Sequence, residues 1–157
     1  MKIGVVSDTH GLYRPKIARA LHGVERILHL GDIGNQQVLD ELGKIAPVTA
    51  VRGNNDRLGP SSQFPETDVV LIADRYVYML HDLGTIHLDP AAGKFAAVLS
   101  GHTHVPNYFT KKGVLYLNPG SCGPRRFELP VTIALLTIGA HSNLKPEIVP
   151  LALASRT

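Results

Sequence analysis

The sequence predicts an α/β fold built on a parallel sheet, and three observations carry that prediction. The short apolar runs Ile3–Val6, Arg26–Leu30 and Val48–Arg52 are rich in β-branched residues and too short for helices, so they read as buried strands. Between them, Ile17, Ala18, Ala20 and Leu21, and then Val38, Leu39 and Leu42, recur at helical spacing. Each run ends in a polar or glycine-bearing turn: Ser7-Asp8-Thr9-His10-Gly11, Gly31-Asp32 and Gly53-Asn54-Asn55-Asp56. A βαβαβ order with right-handed crossovers sets those three turns side by side on one sheet edge, where ligands of open α/β sheets bind.

The elements follow in order. A first helix is expected over Tyr13–Leu21, with Pro15 tolerated near its first turn, and a second over Asn35–Leu42, with Gly43 as its stop. After a loop bearing Pro60 and Pro65, Val69–Ile72 and Tyr76–Leu80 flank Ala73-Asp74-Arg75 as a hairpin that ends at His81. Asp89-Pro90 predicts a short capped helix within Leu88–Phe95. Ala96–Ser100 reads as a buried strand ending at Gly101-His102-Thr103-His104, and Tyr108–Leu117 as a hairpin turning at Lys111-Lys112-Gly113. A tight Asn118-Pro119-Gly120-Ser121 turn and a strand over Val131–Ile138 complete the pattern, which is uninformative beyond Ala140.

Composition narrows the class of protein. A chain of 157 residues is most simply one domain, residues 1–157, with 44% hydrophobic and 18% charged residues, as expected of a soluble globular protein. The net charge is only +3, and basic residues stand singly or in pairs such as Lys111-Lys112 and Arg125-Arg126, so charge gives no nucleic-acid signal. The single cysteine, Cys122, excludes an internal disulfide, suits a reducing compartment and reads as a packing residue. The N-terminal apolar run is too short for a signal segment and the longest run, Val131–Ile138, too short to span a bilayer. The expectation is a cytoplasmic protein without membrane association; a homo-oligomer stays open.

Seven groups remain to be explained. Asp8, His10, Asp32, Asn54, His81, His102 and His104 each follow an apolar run and sit beside a glycine or in a turn. Singly, each has a bland account: a turn around Asp8, a helix cap at Asp32, a left-handed turn at Asn54, a satisfied core histidine at His81. Together they need seven such accounts, where a metal centre needs one. Two carboxylates, one amide and four imidazoles without thiolate suit two divalent transition ions better than structural zinc. Manganese is the first expectation, with nickel, iron, cobalt or zinc as alternatives. A carboxylate such as Asp32 can bridge two cations about 3.5–4 Å apart, a spacing used to activate water and clamp an in-line phosphoryl displacement. Of the other histidines, His22, His87 and His141 lie in surface-like contexts and His29 falls inside a strand.

In order along the chain, Asp8-x-His10, Gly31-Asp32, Gly53-Asn54-x-Asp56, His81 and Gly101-His102-x-His104 resemble the five blocks of the calcineurin-like metallophosphoesterases. Asn118-Pro119-Gly120-Ser121 and Pro124-Arg125 resemble the small bacterial and archaeal phosphodiesterases of that superfamily, which are related to the retromer subunit of the same fold. The likeness spans about Lys2–Ile138 and implies a four-layer αββα sandwich with two facing mixed β-sheets. It also implies that Asp8, His10, Asp32 and His104 hold one ion, and Asp32, Asn54, His81 and His102 the other.

The implied activity is hydrolysis of a small phosphodiester by attack of a metal-bound hydroxide, with Asp8, Asp32, Asn54, Asp56 and His102 as the catalytic set. Asp56 would orient a ligand, or merely stabilise its turn. Asn55 and Arg125 are candidate contacts to substrate phosphate, although Arg125 and Arg126 also read as a solvated surface pair. Two positions depart from the family pattern. Asn55 stands where the phosphomonoesterases carry a histidine, which disfavours monoester hydrolysis, and Asp82 follows His81 where glycine is common. The alternative function is a catalytically weak metal-binding scaffold for protein–protein interaction, like the retromer subunit, and such a scaffold should expose a contiguous apolar patch.

Overall fold

A computed structural model describes residues 1–152 of the chain. Strands β1 (Lys2–Val6), β2 (Arg26–His29) and β3 (Val48–Ala50) pair in parallel, with Val5 opposite Leu28 and Leu28 opposite Thr49. Helices α1 (Lys16–Ala20) and α2 (Gln36–Gly43) make the two crossovers, as the βαβαβ reading requires. Because both faces of β1 are covered, its apolar residues run continuously rather than alternating: Ile3 and Val5 meet the second sheet, and Val6 meets the helices.

The second sheet holds β4 (Thr67–Ile72), β5 (Arg75–Leu80), β6 (Ala97–Leu99), β7 (Asn107–Lys111) and β8 (Val114–Asn118) in the order β4-β5-β6-β8-β7. The hairpins β4–β5 and β7–β8 fall where the sequence predicts them, and β5, β6 and β8 lie parallel. Strand β9 (Thr132–Ile138) joins the first sheet antiparallel to β1. The main core lies between the sheets, with Val5, Leu28, Val77, Met79, Leu99 and Leu136 fully buried. A second core joins the helices to the first sheet through Ile17, Leu21, Val38 and Leu42. The two facing mixed sheets of the expected sandwich are therefore present.

Four local expectations change. The first helix is only Lys16–Ala20, because Pro15 occupies its N-cap at φ −56°. Gly43 is the last residue of α2 rather than its left-handed stop, and the chain leaves the helix through Lys44 in an ordinary right-handed conformation. Within Leu88–Phe95 no helix forms: Asp89 accepts from Ala91 N and Ala92 N, but Lys94 at φ 58° breaks the turn. That segment and the short 3₁₀ turn Leu83–Thr85 make the outermost layer over the second sheet, closing a small core around Tyr78, Leu80 and Val98. Last, the tail contributes β10 (Leu144–Pro150), antiparallel to β9 at the sheet edge. Pro146 and Pro150 mask it in the sequence, and only an edge strand accommodates prolines that cannot donate to a ladder.

An added Cβ at Gly43 would meet no atom within 4 Å, and the residue does not need the left-handed region. Gly43→Ala should therefore raise unfolding stability by about 0.4–1 kcal/mol through reduced unfolded-state entropy and better helix propensity. Urea denaturation measures it; a loss of stability would restore the glycine stop.

Candidate metal centre

All seven donors come from carboxyl ends of strands that run parallel within their own sheets. Asp8 and His10 follow β1, Asp32 follows β2, Asn54 follows β3, His81 follows β5, and His102 and His104 follow β6. The site thus straddles the ends of both sheets. Asp8, His10, Asp32, His102 and His104 have φ of 57°, 44°, 54°, 71° and 63°. This left-handed region is uncommon outside glycine, and it aims consecutive polar side chains inward instead of letting them alternate along an extended strand.

Hydrogen bonds from residues around the donors hold these turns. Asp56 accepts from Ile33 N (3.0 Å), Gly34 N (3.4 Å) and Gly53 N (2.8 Å), tying the Asp32 turn to the Asn54 turn. Asn118 donates to the Gly101 carbonyl and to Thr103 Oγ1 and accepts from Gly120 N, fastening the loop that carries His102 and His104. Ser121 Oγ donates to the Asp8 carbonyl, and Ser7 Oγ to Asp8 Oδ2 at 2.6 Å. Gly53 and Gly101 permit close approach: a Cβ on the first would collide with the Asp32 carboxylate, and one on the second with Ser7 Oγ and the Asp8 carboxylate. Among these supports, sequence reasoning singled out only Asp56 as an orienter; Asn118 was visible as part of a turn without a role.

Two carboxylate atoms organise the interior. Asp8 Oδ1 lies 3.3 Å from His104 Nε2, 3.7 Å from His10 Nε2 and 3.8 Å from His81 Nε2. Asp32 Oδ2 lies 3.4 Å from His81 Nε2 and 3.7 Å from His10 Nε2, between a member of each expected ligand group. On the outer side, His102 Nδ1 stands 3.2 Å from Asn54 Oδ1 and 3.3 Å from His81 Nε2. His81 Nδ1 is 2.7 Å from the Leu30 carbonyl oxygen, which can only accept, so Nδ1 carries a proton and Nε2 faces the carboxylates.

The donor set suits divalent cations. Asp8 is fully buried, yet its Oδ1 makes no hydrogen bond, and neither do the buried His10 Nε2 and His104 Nδ1, among the described residues. Orphaned buried acceptors and imidazole nitrogens around a charged carboxylate are costly without a cation to satisfy them. Asp8, His10 and His104, and likewise Asp8, Asp32 and His81, each offer atoms within 4.8 Å of one another.

Burial would raise the carboxyl pKa of Asp8, but the nearby His10 and His104 imidazoles, the Ser7 hydroxyl and the His81 charge outweigh it and hold the group well below its usual range. Burial likewise opposes ionisation of Asp32, which His81 and Asn55 nonetheless bring down to about 2. For His81, burial works against protonation, while Asp32 and Asp8 overcome it and raise the pKa above the ordinary imidazole value.

The remaining predicted residues divide. Asn55 donates from its backbone N and its Nδ2 to Asp32, at 2.9 and 2.8 Å, so it meets a candidate ligand carboxylate directly. Arg125 lies 3.8 Å from Glu128 and does not line the cavity of about 480 Å³ beside the centre. Asn54, His81, His102 and Tyr78 do, together with Arg57, a cation the sequence reading passed over because it stood inside an unpatterned loop. Asp82 has φ −112°, so glycine is not needed there; its Oδ1 accepts from Gly84 N. Cys122 is buried, which pushes its thiol up to about 12, in keeping with a packing role.

Residues 1–141 match the family model described as the calcineurin-like phosphoesterase superfamily domain. A probable metallophosphoesterase of Methanocaldococcus jannaschii is 30% identical over 96% of this chain and 82% of its own length. A solved structure described as a novel archaeal phosphodiesterase superposes with a TM-score of 0.76 at 26% identity, covering 95% of this chain and 100% of that one. Vacuolar Protein Sorting 29 from Cryptosporidium parvum gives a TM-score of 0.74 at 18% identity, over 97% and 98% of the two chains, a likeness of fold alone.

Metal uptake should be governed by imidazole rather than carboxylate protonation. With its pKa raised, His81 retains its proton to higher pH than a free imidazole, whereas Asp8 and Asp32 stay ionised until strong acid. An incoming ion must displace the His81 proton, so apparent manganese affinity should fall as pH drops from 8 to 6. Calorimetric titration across that interval, with proton release read from buffers of different ionisation enthalpy, checks it; affinity flat down to the carboxylate range would contradict it.

Proposed function

This chain belongs to the calcineurin-like phosphoesterase superfamily, and from that premise we propose that it is a dinuclear metal-dependent phosphodiesterase acting as a single domain over residues 1–157. The observation that carries the reading is the convergence of His10, His81, His104 and Asp32 on Asp8, whose Oδ1 has no hydrogen-bond partner among the described residues, with Asn54 and His102 adjoining His81. In this reading Asp8, His10, Asp32 and His104 hold one ion and Asp32, Asn54, His81 and His102 the other. When bound, two such ions supply water activation and neutralisation of charge developing on phosphorus. Manganese is the first candidate, because imidazole-rich sites favour transition ions over magnesium.

The chain's own residues do the rest. Asp32 serves both groups through an oxygen between His10 and His81, and its low pKa keeps it ionised at every working pH. The Leu30 carbonyl holds the His81 ring so that Nε2 points at the carboxylates. Substrate enters from the cavity lined by Asn54, His102, Tyr78 and Arg57, where Arg57 offers a cation to a phosphate oxygen. Asn55 cannot release a proton as an acid, so the leaving oxygen departs with its own charge or is protonated by water. That favours diesters with good leaving groups over monoesters, and the likeness to an archaeal phosphodiesterase points the same way.

A second reading, a weakly catalytic metal-binding scaffold, has one observation in its favour. Val69, Leu71 and Tyr76 are 46%, 54% and 54% exposed on adjacent strands, with Leu71 directly opposite Tyr76 on the sheet's outer face. A patch of this kind on a monomer suits a partner. Turnover decides between the readings: manganese-loaded protein inactive on every diester offered would favour the scaffold.

Three outcomes are expected. Asp32→Ala should cost more activity than loss of any other single donor and should leave fewer than two ions bound, measured by elemental analysis beside bis-nitrophenyl phosphate hydrolysis. Aryl diesters should outrun alkyl diesters steeply, since general acid catalysis, worth about 10²–10⁴-fold where it operates, is missing at Asn55. Asn55→His should then gain on monoesters relative to diesters. A single-turnover rate insensitive to leaving-group pKa would remove the argument from Asn55.

A further inference from the structure

We infer that His29, acting through the Thr9 hydroxyl, is a positioning residue that sets the spacing between the turn carrying Asp8 and His10 and the turn carrying Asp32, and with it the affinity of the centre for its ions. The inference rests on the dinuclear reading above. His29 ends β2 with no exposed surface, and its two ring nitrogens hydrogen-bond to none of the seven donors. Its Nε2 lies 2.9 Å from Thr9 Oγ1, and Thr9 stands between Asp8 and His10. Its Nδ1 accepts from Gly31 N at 3.2 Å, one residue before Asp32. One ring therefore spans both ligand turns.

The direction of every proton in this chain is determined. Gly31 N–H can only donate, so Nδ1 is the bare nitrogen and Nε2 carries the hydrogen. Nε2–H donates to Thr9 Oγ1, and Thr9 gives its own hydrogen to the Ile33 carbonyl at 2.8 Å, just past Asp32. A second ring proton would face the Gly31 N–H, and burial keeps the pKa down at about 4, so the ring stays neutral and serves as neither acid nor switch.

Backbone bonds already lace the same turns, Asp8 N to Gly31 O, His10 N to Asp32 O and Gly11 N to Ile33 O. These bonds run from one backbone to the other and leave the Thr9 side chain free. The relay adds a side-chain brace beneath Asp8, His10 and Asp32, all three of which lie at positive φ. A leucine at position 29 would fill the core without the cost of burying an imidazole, so an unlinked structural role does not account for the polar ring.

The test compares Thr9→Val, which keeps shape and removes the hydroxyl, with Thr9→Ser, which keeps the hydroxyl. Manganese titration of both, each first shown folded by circular dichroism and cooperative unfolding, should find Thr9→Val weakened about tenfold or more and Thr9→Ser within about threefold of wild type. Folded Thr9→Val with wild-type affinity for two ions would overturn the inference and leave the dinuclear reading intact. Wild type that binds no ions would instead overturn that reading. A measurement on the unmodified protein stands beside the variants: nitrogen-15 spectra of the histidines should find one ring fixed as the Nε2–H tautomer across pH 6–8, unchanged when zinc is added. The opposite tautomer, or a ring that titrates in that interval, would overturn the relay even if Thr9→Val failed to fold.

Discussion

Left-handed backbone at the ends of buried strands is the constraint on which the rest of this structure depends. A strand that simply stopped would send alternate side chains to opposite faces. Here Asp8, His10, Asp32, His102 and His104 turn through positive φ, so successive polar groups converge on one point. Each such residue costs of order 1–3 kcal/mol, less for Asp and His than for bulkier types. A typical hydrogen bond returns about 0.5–1.5 kcal/mol, which explains why so many surround these turns. Asp56 with its three N–H donors, Asn118, Ser121 and Ser7 hold the conformation, and the buried strands beneath leave the turns nowhere else to go.

The same convergence creates an electrostatic problem that bound cations would relieve. Two carboxylates lie within 4 Å of shared imidazoles, and one of them is fully buried. Isolated burial of such a charge is costly enough that the group would ordinarily take up a proton. Instead Asp8 and Asp32 are driven lower, because hydrogen-bond donors and the His81 charge outweigh the burial. A proton on His81 is a weak stand-in for a divalent ion at this position. The centre is therefore built for positive charge before any substrate arrives, as a phosphoester site requires.

Placing the centre across two sheets also separates its inner and outer faces. Asp8, Asp32 and His104 are buried, while Asn54 and His102 open onto the cavity. Asp8 and Asp32 from the first sheet and His104 from the second thus make the floor, and Asn54 and His102 meet the solvent side, where Arg57 and Tyr78 line the approach.

The strands β1 to β9, the two crossover helices and the placing of all seven donors at strand ends were legible in the sequence, since apolar period and turn chemistry are local properties. The family membership was equally legible, because ordered motifs such as Gly31-Asp32 and Gly101-His102-Thr103-His104 survive without coordinates. What stayed hidden depends on long-range contact. His29 looked like any histidine in a strand until the fold brought Thr9, 20 residues away in sequence, against its Nε2. Edge strand β10 was masked by its prolines, and only the free edge beside β9 explains why they are tolerated. Arg57 carried no pattern at all; the cavity wall alone gives it a place. Which groups stand at the strand ends follows from residue order alone, because local sterics and hydrophobicity decide it. Tertiary structure decided which of their atoms meet, because only the packing of two sheets brings His81 and His104 onto Asp8.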